Sequence, residues 1–154
     1  MYKVTGHAVR NGKTIEVTVG GLLPDSCHTA RIEDFYPGGS RVYIVDPGAA
    51  QIFIEETVKP GSNLCLMMLV PWSATVSILD KTHTKVEIFV NNHEVLEVPV
   101  VEANSLFIVI ALTGTNTGCS IVPKDAIYPA IYSNVYGSAS HDDCKAWVAN
   151  NCNI

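Results

Sequence analysis

Polar and apolar residues alternate through residues 13–19, and on a strand this sends Ile15, Val17 and Val19 to one face. Asn11-Gly12 stands directly before this segment, and that dipeptide tolerates the positive φ angles of a type I′ turn. Residues 2–10 and 13–19 are therefore predicted to form a β-hairpin with a two-residue loop.

The same pattern recurs downstream. Gly20-Gly21 and Pro24-Asp25 break the chain before a strand over residues 28–36, which ends at Pro37-Gly38-Gly39. Residues 41–45 and 50–58 read as a strand pair about Asp46-Pro47-Gly48, closed by Pro60-Gly61. Residues 64–70 form a continuous apolar run, suited to a strand covered on both faces. Alternation returns over 74–79. Residues 85–90 and 94–98 flank Asn91-Asn92-His93 and make a second hairpin, with a two-residue or slightly longer loop. After Glu102 come one more buried strand, 106–112, and a loop of small polar residues, 113–118. Strands about every 8 to 12 residues with turn residues between them indicate a sandwich or barrel rather than βαβ units.

One helix is expected, near the C-terminus. Ser140 can accept from the backbone at its start, and Asp142 and Asp143 suit the positive end of its dipole. Cys144, Trp147 and Val148 then share one face by i, i+3, i+4 spacing and should bury against the sheet.

A chain of 154 residues, 47% hydrophobic and 16% charged, can build a real core and is not disordered. It has 10 Lys plus Arg against 15 Asp plus Glu, with no basic block, so nucleic acid is a poor partner. Its longest apolar runs fall short of the ~18 to 20 residues that span a bilayer. The first residues lack the apolar core of a targeting peptide, while five cysteines without zinc-finger spacing favour an oxidising compartment. The expectation is a bacterial envelope or secreted protein, with the signal peptide absent from this chain.

At Leu23-Pro-Asp-Ser-Cys27-His28, at Leu64-Cys65, and in the hairpin over residues 86–98, the chain resembles small secreted bacterial immunoglobulin-like domains. The resemblance covers residues 13–101; Asn92 and Val86 depart from it, standing where a turn glycine and an aromatic are usual. It implies an immunoglobulin-like fold, and with the strand spacing and the two hairpins the expectation is mainly β: an immunoglobulin-like β-sandwich over residues 1–102, then a C-terminal extension, 103–154, with a strand and one short helix packed on the sandwich. It implies export but no specific activity. Cys27 and Cys65 are candidates for a disulfide, the alternative being two buried thiols. Cys119 is expected to pair with Cys144 or Cys152.

Little in the chain points to chemistry. Cys27 and His28 are neighbours on a strand and point to opposite faces, so they cannot share a proton. His83 and His93 lie too far apart for one metal site, and the acids of His141-Asp142-Asp143 suit a helix start for electrostatic reasons alone. No nucleophile elbow, phosphate loop, dinucleotide fingerprint or H-E-x-x-H motif occurs, so no catalytic residue, metal ligand or cofactor is assigned. Trp72, Tyr132 and Tyr136 are candidate binding aromatics, although a stripe such as Tyr128, Tyr132, Tyr136 more often belongs to a core. The ranked expectation is a non-catalytic binding or structural role in the cell envelope towards a protein or surface ligand, then inhibition of an exported enzyme, then an enzyme. Residues 37–40 and 113–118 are the candidate inhibitory loops.

Overall fold

A computed structural model describes residues 1–61 and 64–153, and in it the chain is mainly β, with one short C-terminal helix. β1 (Tyr2–Asn11) and β2 (Thr14–Leu23) form the first hairpin, with Ala8 opposite Val17 and Asn11 opposite Thr14. The two-residue turn is Gly12-Lys13, one position later than the sequence suggested. Gly12 has φ +64°, and a glycine at the first central position suffices for a primed turn, which leaves Asn11 in the ladder.

β3 (His28–Tyr36), β4 (Ala50–Val58), β5 (Val70–Leu79), β6 (Lys85–Val90) and β7 (His93–Glu102) complete a seven-stranded sheet in the order β3-β4-β6-β7-β1-β2-β5. The β6–β7 hairpin turns on Asn91 and Asn92, both at positive φ. β7 pairs with β6 as far as Pro99 and with β1 from Val100, so it links two halves of a nearly closed sheet. Inside lie Ile15, Val17, Val19, Ile52, Ile54, Ile78, Val86 and Ile88, all fully buried. Each such side chain contributes about 1.5 to 3 kcal/mol over its exposed state, and together they hold the sheet curled.

Two expected strands are absent. Residues 41–45 are irregular, with Val42 90% and Ile44 fully exposed. Side chains hold this loop instead of a ladder: the Arg41 guanidinium lies 3.6 Å from the centre of the Phe53 ring, and Tyr43 packs edge-on against Tyr36. Residues 64–69 are also outside any strand and are solvent-exposed, Leu64 at 94% and Met67 at 88%. β5 starts at Val70 because its partner β2 ends opposite it at Leu23, and Pro24 cannot extend the ladder. The expected loop start around Pro60-Gly61 runs into residues 62 and 63, which lie outside the described residues.

β8 (Leu106–Leu112), β9 (Ser120–Pro123) and β10 (Tyr132–Ser140) form a second sheet in the order β10-β8-β9. β8 is covered on both faces, as its continuous apolar run implies. Ile108 and Ile110 pack with Val122 and Tyr132, while Phe107 and Val109 face Val9 of the large sheet and α1 (His141–Asn151). Ser140 caps α1 by accepting from the Asp143 backbone at 3.1 Å, and Cys144, Trp147 and Val148 share the face that packs inward. The small sheet meets the large one closely at Ser120. Its hydroxyl accepts from Thr5 Oγ1 at 2.8 Å, and a Cβ on Gly20 would come within 3.1 Å of it.

Candidate functional site

The cysteines act as braces. Cys27 precedes β3 and Cys65 precedes β5, and their sulfurs stand at bonding distance with Cα atoms 5.3 Å apart. The Ser26 backbone donates to the Leu66 carbonyl at 3.1 Å beside them, and Ser26 Oγ accepts from the Leu66 amide at 2.7 Å. This pairing ties together the entrances of the two edge strands, β3 and β5. Cys119 pairs with Cys152, where the chain turns off the end of α1. Cys144 is the free thiol; burial and the Asp143 charge push its pKa up, so it stays protonated and unreactive.

The three aromatic candidates are engaged within the fold. Trp72 is half-buried on β5 and its indole donates to the Ala30 carbonyl of β3 at 2.9 Å. Tyr132 is buried, with its hydroxyl donating to the Lys3 carbonyl at 3.3 Å. Tyr136 stacks on Trp147 with ring centres 5.5 Å apart. Trp72 and Tyr136 remain partly exposed, while Tyr132 is buried.

Four of the five histidines fall into three settings, and His93 is exposed at the start of β7. His28 bonds Asp25, three residues before it. His83 lies between Asp80 and Asp46; burial alone would lower its pKa, but the two carboxylates outweigh burial and raise it. Both ring nitrogens are occupied, so His83 is a structural clamp and not a free base. His7 and His141, 134 residues apart, meet in the interface between the two sheets. Burial, then the neighbouring His141, lower the His7 pKa to about 4, so its imidazole is neutral.

The sequence offered no signal for the concavity that the two sheets enclose. Strand β1 at residues 4–6, β7 at residues 96–101, Ser105 and Leu106 at the start of β8, and the end of β9 with the segment after it, residues 122–129, line a cleft of about 1020 Å³. That is the upper end of the ~300 to 1,000 Å³ of ordinary ligand pockets. Val4, Leu96, Val98, Val122 and Tyr128 give it apolar walls, and Glu97, Lys124 and Asp125 supply charge along its lining. Ile127 is fully exposed and Leu106 nearly half exposed among the lining residues, so apolar surface faces solvent around the concavity. These residues belong to four separate stretches of chain, which is why no motif announces them.

No helix among the described residues is long and apolar enough to cross a membrane. No known family model matches the chain, and no curated protein or solved structure matches it.

Proposed function

We propose that this chain is an exported, non-catalytic binding protein that takes a small apolar molecule into the cleft between its two sheets. The observation that carries this reading is the cleft itself, a large concavity with apolar walls that leaves Ile127 and Leu106 exposed on its lining. A ligand seated there would cover apolar surface at about 25 cal/mol per Å² removed from water, while Lys124 and Glu97 could orient a polar end. Export is supported by two cysteine pairs at disulfide distance, since such bonds persist in oxidising compartments. The immunoglobulin-like kinship and the division at residue 102 remain part of this proposal. The division is supported by the separate C-terminal sheet, and the kinship rests on the resemblance at Cys27, Cys65 and residues 86–98.

The test is a titration of the full, oxidised chain with an apolar fluorophore such as anilinonaphthalene sulfonate. Saturable binding near one equivalent, abolished by Leu96→Arg in a variant of unchanged far-UV spectrum, supports the proposal. Absent binding, or binding indifferent to Leu96→Arg, overturns it.

A second reading, inhibition of an exported enzyme, is favoured by a different observation. Residues 64–69 hold Leu64 and Met67 out in solvent on a loop anchored by the Cys27–Cys65 pair, a better-braced apolar surface than either loop singled out from sequence. That surface predicts no fluorophore site in the cleft.

A further inference from the structure

We propose that His7, Glu16 and His141 form a binding site for a divalent transition-metal ion of the Zn²⁺ class. His7 on β1 and Glu16 on β2 stand on the outer face of the large sheet, because their neighbours Ala8 and Val17 face the core. His141 is the first residue of α1, delivered to the same place by the packing of the helix on Phe107 and Val9. One nitrogen or oxygen from each of the three side chains lies within 4.8 Å of the others, and the two Nε2 atoms face each other at 2.9 Å.

Those spacings suit a shared cation. Imidazole nitrogens about 2.0 to 2.1 Å from a tetrahedral metal are themselves about 3.4 Å apart, so the pair at 2.9 Å need open by only about 0.5 Å to share one. Two neutral imidazoles and one carboxylate, with no thiolate among them, match Zn²⁺, Fe²⁺, Co²⁺ or Ni²⁺ better than Ca²⁺ or Mg²⁺. The Cys144 thiol is one helical turn away but is directed at the Phe107 carbonyl, so it is not a fourth ligand.

The site's present hydrogen bonding is incomplete, which argues against a purely structural pair. A single proton between the two Nε2 atoms satisfies both, yet His7 Nδ1 stays buried without a hydrogen-bond partner. With both Nε2 lone pairs on a cation, each Nδ1 carries a proton, and the Ile121 backbone, which already raises the His7 pKa as a hydrogen-bond partner of the imidazole, is the acceptor at hand. Phe107 walls the site, with its ring 5.0 Å from that of His141 and 5.9 Å from that of His7. Glu16 is partly exposed and gives access from solvent. Its present partner is the Lys145 ammonium at 3.5 Å, an exposed surface group that an incoming cation would displace.

The test uses the full, oxidised chain stripped with chelator and titrated with Zn²⁺ by calorimetry, with Co²⁺ absorption as the spectroscopic readout. Expected are one equivalent bound, a rise in melting temperature with Zn²⁺, and visible Co²⁺ bands. His141→Ala should weaken Zn²⁺ binding on the order of 100-fold or more. Glu16→Gln keeps the shape at a partly exposed position and should weaken it as well, so the proposal stays testable if His141→Ala does not fold. Lys145→Met should strengthen binding by removing the competing ammonium. No stoichiometric Zn²⁺ binding by the wild-type chain, or binding unchanged in a folded His141→Ala or Glu16→Gln variant, overturns the proposal.

Discussion

The Trp72 indole donates to the Ala30 carbonyl at 2.9 Å, joining β5 to β3 across the one gap in the seven-stranded ladder. β3 and β5 run the same way on either side of that gap. Where a closed barrel would place a row of backbone bonds, the described residues show this side-chain bond and, at the entrance of the strands, the Cys27–Cys65 brace.

Trp72 should therefore matter through both packing and its N–H. Trp72→Phe keeps most of the ring and loses the bond, so a loss of about 1 kcal/mol is expected by urea unfolding. Trp72→Ala should cost about 2 to 4 kcal/mol, less than for a fully buried tryptophan because the side chain is partly exposed. An unchanged unfolding midpoint in both variants would show that the gap is held elsewhere.

The disulfide brace has its own signature. Cys27 and Cys65 are 38 positions apart, so on the chain-entropy model replacing both by Ser should destabilise by up to about 4 kcal/mol. Thiol counting on unfolded, non-reduced protein should find one free thiol, and peptide mapping should assign it to Cys144. Three or five free thiols in protein from an oxidising compartment would contradict the pairing.

The C-terminal helix, eleven residues long, is too short to be stable alone and depends on its packed face. Trp147 lies on that face, stacked on Tyr136 and in contact with the Phe107 cluster. Trp147→Ala is expected to cost about 2 to 3 kcal/mol. Deleting residues 138–154 removes the end of β10, the helix and Cys152 together, and should lower the melting temperature and promote association through the uncovered apolar face. A truncated chain that melts unchanged and stays monomeric would show the helix to be a separate attachment.

His83 gives a pH dependence with a definite sign. Its pKa in the folded chain is raised by Asp46 and Asp80, net of the opposing effect of burial. A group raised above its unfolded value of 6.5 contributes stability that is complete below that pH and is lost as pH rises through the folded value. Stability should accordingly decline from pH 6 into the alkaline range, and Asp46→Asn should flatten that decline. Denaturation midpoints across that range in the two proteins check it; parallel curves would refute the role of Asp46.

Much of this architecture was legible because it is encoded locally. The Ile15, Val17, Val19 alternation, the Asn91-Asn92 turn and the Ser140 cap each depend on residues a few positions apart, and each appears in place. Residues 64–69 were misread because an apolar run does not reveal whether a neighbouring strand exists to pair with it, and Pro24 had ended that strand. β10 escaped notice because its pairing with β8 is irregular between Asn134 and Tyr136 and again between Gly137 and Ala139, which destroys the period of two. The cleft and the His7–His141 meeting were illegible for a further reason: both arise from docking the C-terminal sheet on the first, over separations that no local pattern records.

The most direct test of the binding account is residue-level mapping by NMR of the oxidised chain titrated with the apolar fluorophore. The account predicts saturating shifts of the Val4, Leu96, Val98, Val122 and Tyr128 amides, with residues 64–69 undisturbed. Shifts confined to residues 64–69, or none at all, would contradict it.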